Sequence, residues 1–165
     1  MTVPSLLTLD ELLETLKPLR QAGKTIVTTN GCFDLFHVGH LRYLEASKAL
    51  GDILVIALNS DASVKTFKDD GRPIVPQAER AELLSALRCV DYVTIFDATS
   101  PVEVLTAIAP DIHTKGADYT LETLPEAPAL AAVGTEIAFI DLVEGRSTSS
   151  LIHAILKAYP ASSIS

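Results

Sequence analysis

The six residues Ile53-Leu54-Val55-Ile56-Ala57-Leu58 carry no polar side chain. A strand with one face in water alternates apolar and polar residues. A strand that is apolar throughout needs cover on both faces, as in a parallel sheet held between two layers of helices. Four other short runs read as strands: Thr25–Thr29, Tyr92–Phe96, Asp111–Lys115 and Glu136–Ile140. Helical segments separate them, so the chain is expected to form a doubly wound α/β domain. No repeat or linker interrupts the 165 residues, which are read as a single domain, 1–165.

The intervening segments carry their own punctuation. Thr8 followed by Glu11 makes a capping box, and Leu9, Leu12, Leu13, Leu16 and Leu19 give one apolar face to a packing helix over 8–21, ahead of a core over 25–159. Pro18 is expected to kink or end that helix. Pro76 opens another, with Ala78, Leu83, Leu84 and Leu87 among its apolar positions. Ser100-Pro101 starts one that Pro110 stops. Leu121 to Ala129 reads as a surface loop before a short helix of alanines. A final helix carries Leu151, Ile152, Ile155 and Leu156, and the tail after Tyr159 is expected to fray.

The stretch from Thr28 to His40 joins the first strand to a helix that begins near Val38. Asn30-Gly31 allows a tight turn and close backbone approach, and Gly39 keeps the first helical turn bare. His37 and His40 stand three apart, which places both imidazoles on one side of that turn. A helix start offers unpaired N–H groups and a positive dipole end, which suit a nucleotide phosphate. Two other readings stay open. With Cys32 and Asp34 nearby the histidines could be metal ligands, although no third and fourth ligand stands at a recognisable spacing, or they could be an incidental pair at a helix cap.

Polar residues also gather at the other strand ends. Asn59-Ser60-Asp61 follows the apolar strand and leads into a short helical stretch ending at Lys65; in open α/β sheets ligands collect there, though the same residues are ordinary helix caps. Phe67 to Val75 holds Lys68, Asp69, Asp70, Gly71, Arg72 and Pro73 and reads as a mobile loop of mixed charge. Glu79-Arg80 reads by default as solvated helix charge. Lys115-Gly116-Ala117-Asp118-Tyr119 reads as a strand-to-loop turn, and His113 as a structural histidine within an apolar strand. Arg146-Ser147-Thr148-Ser149 combines capping hydroxyls with a positive charge, an arrangement that caps any helix and also suits an anion.

The formal charge of −8 argues against a broad nucleic-acid surface but leaves room for a local basic pocket built from Lys65, Lys68, Arg72, Arg80, Lys115 and Arg146. Cys32 and Cys89 match no Cys-x-x-Cys pattern and are read as free thiols. No apolar run approaches a membrane span and no signal-peptide pattern opens the chain, so a cytoplasmic protein with no membrane or nucleic-acid partner is expected.

Gly31-Cys32-Phe33-Asp34-Leu35-Phe36-His37-Val38-Gly39-His40 resembles the His-x-Gly-His motif of the HUP-type nucleotidyltransferases, whose fold is shared with class I aminoacyl-tRNA synthetases. Thr29 to Lys65, Gly71-Arg72-Pro73, Glu79-Arg80, Asp91-Tyr92-Val93, Lys115 to Tyr119 and Glu144 to Thr148 are similar, in that order, to the adenylyltransferase domain of bacterial ADP-heptose synthesis. Glycerol-3-phosphate cytidylyltransferases and archaeal-type FAD synthetases share the same motifs.

The resemblance implies a Rossmann-like five-stranded parallel sheet in the order 3-2-1-4-5, with the site at the switch between the first and fourth strands. It implies transfer of AMP from ATP to D-glycero-β-D-manno-heptose 1-phosphate with release of pyrophosphate, a step of lipopolysaccharide precursor synthesis. Cytidylyl transfer to glycerol 3-phosphate and adenylyl transfer to FMN are the alternatives, and a nucleotide-binding sensor without turnover is the non-enzymatic one. By the same resemblance His37, His40, Lys65 and Arg80 are catalytic. Gly31, Cys32, Phe33, Gly39, His40, Lys115, Gly116, Asp118, Arg146, Ser147, Thr148 and Ser149 bind ATP, and Asp34, Asn59, Asp61, Lys65, Arg72 and Arg80 face the acceptor. Mg²⁺ is expected on the ATP phosphates with no protein ligand assigned, and a homodimer is expected. That family often fuses this domain to a sugar kinase, so a separate kinase and phosphatase are expected to serve the domain on its own.

Overall fold

A computed structural model describes residues 5–68, 71–141, 143, 145 and 147–159. In chain order these form α1 (Leu9–Gln21), β1 (Ile26–Gly31), α2 (Val38–Lys48), β2 (Ile53–Asn59), α3 (Asp61–Lys65), α4 (Gln77–Ser85), β3 (Tyr92–Phe96), α5 (Val102–Ile108), β4 (Ile112–Gly116), α6 (Ala127–Ala132), β5 (Glu136–Ile140) and α7 (Thr148–Ala158). The strands make one parallel sheet in the order β3-β2-β1-β4-β5. The chain therefore winds one way from β1 through β2 to β3 and the other way through β4 to β5. The crevice between the carboxyl ends of β1 and β4 is the switch point at which such sheets take ligands.

Burial follows from the two-sided cover. Ile26, Val55 and Ala57 face one layer with Leu12 and Leu16 of α1, Val104, Leu105 and Ile108 of α5 and Leu130 of α6. Val27, Leu54, Ile56 and Leu58 face the opposite layer with Leu44 of α2 and Ala81 and Leu84 of α4. Residues Leu54 to Leu58 are completely buried, each large side chain contributing roughly 1.5–3 kcal/mol. Aspartates in the helix-to-strand connections accept from N–H groups within a residue of strand starts. Asp52 accepts from Thr25 N–H at 2.9 Å, Asp91 from Leu54 at 2.7 Å and Asp111 from Ile26 at 2.7 Å. The free edge of β3 is covered by residues 5–7, where Val93 N–H donates to Ser5 and Leu7 N–H to Val93.

Pro18 does not end α1, which runs to Gln21 in keeping with the helix expected over 8–21; the carbonyl that loses its partner belongs to exposed Glu14, where water can serve it. Two local expectations are corrected. Asn30-Gly31 does not turn, because both residues lie in β1, and the left-handed conformations fall on Phe33 (φ 47°) and Leu35 (φ 46°). The segment Leu121 to Ala129 is not a surface loop throughout, since Leu124, Glu126 and Ala127 are buried. The frayed tail expected after Tyr159 lies outside the described residues.

Candidate active site at the carboxyl end of β1

The loop after β1 is shaped by its aromatic residues. Gly31 leaves room for Phe33: a Cβ there would stand 3.1 Å from the Phe33 ring. Two non-glycine residues at positive φ within three positions cost roughly 1–3 kcal/mol each, a cost that the surrounding contacts must offset. The result is a bend that brings His37 to the N-cap of α2.

His37 Nδ1 accepts from the Gly39 N–H at 3.1 Å, so the neutral ring carries its proton on Nε2. The His37 and His40 rings stack with centroids 3.8 Å apart and planes 22° from parallel. Phe33 meets His40 edge-on at 5.4 Å and Phe36 lies tilted at the same distance. Burial, followed by the neighbouring His37 charge, lowers the His40 pKa to about 4 against the pull of Asp34. His40 is therefore neutral at physiological pH, and it offers a phosphate oxygen an N–H rather than a charge. Its Nδ1 is buried and has no hydrogen-bond partner among the described residues.

Asp34 ties the neighbouring loop to this turn. Its carboxylate is fully buried and accepts from Arg72 Nε at 2.6 Å, Ile74 N–H at 2.9 Å and Val75 N–H at 2.9 Å. Burial pushes its pKa up, but the Ile74 and Val75 N–H bonds and the Arg72 guanidinium outweigh that, and the carboxyl lies below its ordinary value. The stretch from Arg72 to Val75 is thus held rather than mobile; Asp69 and Asp70 lie outside the described residues.

Arg80 is not a solvated helix charge. It is 1 % exposed on the buried face of α4, while Leu83 of the same helix is 53 % exposed. Its Nε donates to Val75 O at 2.9 Å, Nη1 to Cys32 O, and Nη2 to Asp61 Oδ1 at 2.8 Å. Asp61 and Gln77 exchange two further bonds: Asp61 N–H to Gln77 Oε1 at 2.7 Å and Gln77 N–H to Asp61 Oδ1 at 2.8 Å. Asn59 is buried and donates to Ser63 Oγ at 2.9 Å. Asp34, Asp61, Arg72 and Arg80, all predicted on the acceptor side, therefore engage one another or the backbone, while Asn59, predicted there too, engages the Ser63 hydroxyl. Lys65, at the end of α3, is exposed.

Across the crevice, Lys115 and Gly116 end β4, and Asp118 is exposed in the turn that follows. Thr28 Oγ1 lies 2.8 Å from His113 Nδ1, confirming a structural role for that histidine. Thr148 of α7 donates to the backbone carbonyl of Asp34 at 2.9 Å, bringing the start of α7 to the His-bearing loop. The Ser147 hydroxyl caps α7 by accepting from Ser150 N–H at 3.0 Å, and Ser149 is exposed. Arg146 lies outside the described residues. Cys32 is a poor nucleophile, since burial raises its thiol pKa against the pull of Lys68, Arg80 and Arg72.

Among the described residues no three His, Cys, Asp or Glu side chains converge on a metal position. The metal-ligand reading of His37 and His40 thus lacks the further ligands that it needs. Sequence reasoning missed Gln77, Phe36 and Glu126. Gln77, directly after the helix-opening Pro76, and Phe36, four residues before His40, carried local signals, whereas the partners of Glu126 arise through tertiary contacts.

The cytidylyltransferase-like family model matches residues 28–165. A bifunctional protein HldE of Syntrophotalea carbinolica is 47% identical over 150 residues, which cover 91% of this chain and 31% of the relative. A bifunctional protein HldE of Helicobacter pylori is 48% identical over 158 residues, covering 93% and 32%. The chain thus spans about a third of the length of these relatives. Among solved structures, a lipopolysaccharide core biosynthesis protein from Thermoplasma volcanium superposes with a TM-score of 0.60 at 29% identity, covering 73% of this chain and 98% of the other. The switch-point crevice, the stacked histidines at its mouth and the match from Thr28 onward agree: the chain belongs to the cytidylyltransferase-like family of nucleotidyltransferases.

Proposed function

We propose that this chain transfers AMP from ATP to D-glycero-β-D-manno-heptose 1-phosphate and releases pyrophosphate. The observation that carries the reading is the stacked His37–His40 pair at the start of α2, with His40 neutral, beside the switch point. The similarity to HldE proteins and to a lipopolysaccharide core biosynthesis protein supports the acceptor.

An oxygen of the acceptor phosphate attacks the α-phosphorus, a P–O bond forms, and the bond to the α–β bridging oxygen breaks as pyrophosphate departs. The attacking oxygen is already anionic, so no strong general base is needed, and catalysis rests on alignment and charge stabilisation. His37 and His40 donate N–H groups to the triphosphate. Lys65 offsets repulsion between the two anions, Lys115, Gly116, Asp118 and Ser149 line the nucleotide side, and Arg146 is assigned to ATP by its sequence motif. Arg80, Asp61, Asp34 and Arg72 hold the walls of the acceptor side in place. Mg²⁺ enters with ATP as a counter-ion of its phosphates; among the described residues no three His, Cys, Asp or Glu side chains gather to hold it. Dependence on ATP makes the cytoplasm the site of reaction. A homodimer belongs to the same reading, supported by the exposed apolar side chains of Ile155 and Leu156 in α7 and of Tyr159 just after it.

The test is pyrophosphate release with Mg²⁺, crossing ATP and CTP against the heptose 1-phosphate, glycerol 3-phosphate and FMN. Release with ATP and the heptose phosphate alone is expected. Turnover only with CTP and glycerol phosphate, or only with ATP and FMN, overturns the acceptor, and nucleotide binding without turnover overturns the enzyme.

A further inference from the structure

The excursion between β4 and α6 leaves the sheet at Gly116 and returns at Glu126, the residue before α6. Glu126 is 3 % exposed, and its Oε1 lies 2.9 Å from Lys115 Nζ, an ion-pair distance without aligned hydrogen-bond geometry. On the other side of the same oxygen, His113 Nε2 stands at 3.9 Å. Burial, with Lys115 adding to it, brings the His113 pKa down to about 3, so the ring is neutral and Lys115 is the cation that balances Glu126 in this cluster. The Lys115 ammonium also lies 5.5 Å from the centre of the Tyr119 ring, at the far side of the turn.

A buried ion pair is a poor source of stability, because desolvation offsets the attraction and an apolar pair of similar volume commonly serves better. Its value is geometric: it fixes where a long, rotamer-rich side chain points. Lys115 has four rotatable bonds and stands one residue beyond Thr114, which pairs with Thr29 at the carboxyl end of β1. The residue therefore stands where β4 ends beside β1, at the edge of the switch-point crevice.

We infer that Glu126 is a positioning residue for the nucleotide site: it holds Lys115, and with it the 116–119 turn, in the orientation that meets the nucleotide phosphates. The inference rests on reading that turn as part of the nucleotide site. Glu126 itself touches no substrate and acts through Lys115.

The test measures binding of the non-hydrolysable analogue α,β-methylene-ATP by calorimetry to wild type, Lys115→Met, Glu126→Gln and the double variant, with thermal midpoints recorded alongside. Lys115→Met is expected to weaken binding about tenfold, the loss of one charge-assisted contact. Glu126→Gln is expected to weaken it about fivefold through misplacement of Lys115. The double variant is expected to bind no worse than Lys115→Met, since Glu126 has no role once the lysine is gone. In turnover, KM for ATP rises more than kcat falls. A Glu126→Gln protein with a lower midpoint and unchanged affinity, beside a weakened Lys115→Met, overturns the positioning role alone. Unchanged affinity in Lys115→Met removes the nucleotide reading of that turn and the inference with it. If Glu126→Gln does not fold, Glu126→Asp, which keeps the charge and withdraws it by one methylene, carries the same comparison.

Discussion

Arg80 Nη2 stands 2.8 Å from Asp61 Oδ1, and the arginine is the largest fully buried side chain of the described residues. Its three donor positions reach three separate chain segments: Val75 ahead of α4, Cys32 after β1 and Asp61 at the start of α3. Only a planar, forked cation satisfies acceptors so spread; a lysine ammonium cannot. Arg80→Lys is therefore expected to lose about 3 kcal/mol in urea denaturation, because charged and polar acceptors stay buried without partners. A variant within about 0.5 kcal/mol of wild type, the range of an ordinary surface change, would overturn the keystone role.

Asp34 makes a related prediction for the loop it holds. Its carboxylate accepts from the Ile74 and Val75 N–H groups, so Asp34→Asn is expected to accelerate hydrogen exchange at those two amides by about tenfold or more, the loss of roughly one charged hydrogen bond. Because the folded carboxyl has a lowered pKa, its stabilisation is present above the ordinary carboxylate range and is lost as pH falls through the folded value. Unchanged protection at both amides in Asp34→Asn would show that the loop is held by something else.

For His40 the prediction concerns charge state as much as rate. The ring is flanked by Phe33, Phe36 and His37, and it should titrate near pH 4 rather than 6.5 when its imidazole resonances are followed by NMR. His40→Ala is expected to lower kcat by about two orders of magnitude with the fold intact, as for loss of one transition-state donor. A titration near 6.5, or near-normal turnover in a folded variant, contradicts the neutral-donor role.

The sequence announces some of these features and conceals others for physical reasons. All five strands were legible, the central ones because two-sided burial demands continuous apolar or β-branched runs, as in Leu54 to Leu58, and the others as short runs bounded by helical segments. The capping box at Thr8 and Glu11 was legible because it is local chemistry within four residues. The closeness of His37 and His40 was legible in their spacing, but their stacking also depends on the extended N-cap conformation of His37 and its bond from Gly39 N–H. Arg80 was hidden because the burial of a charge depends on acceptors 5, 19 and 48 residues away, and on its helix the leucine at 83 was the more obvious core residue. Glu126 was hidden in the same way: a glutamate in a Pro-rich stretch reads as solvent-facing until its lysine, eleven positions earlier, is folded onto it. The expected turn at Asn30-Gly31 failed because the glycine makes room for the Phe33 ring instead of supplying a left-handed residue.

His113 offers the cleanest test of the buried polar layer. Its pKa is lowered to about 3 in the folded protein, chiefly by burial, whereas an unfolded histidine titrates near 6.5. Between those values the unfolded chain binds a proton that the folded chain does not. Stability from this residue is then complete above about pH 6.5 and is lost as pH falls, by up to about 1.4 kcal/mol per pH unit. His40 adds to the same slope down to about pH 4, with a smaller share because its ring is less buried. From about pH 5 to 6 the carboxyls lowered in the fold, Glu11, Asp34, Asp52 and Glu122, are largely ionised in both states, so the buried histidines carry most of the slope there. His113→Asn, which can still pair with Thr28, is expected to remove about one proton from the uptake on unfolding at pH 5, measured by urea denaturation across that window. An unchanged slope would mean that the ring is already protonated in the fold, with Glu126 as its counter-charge.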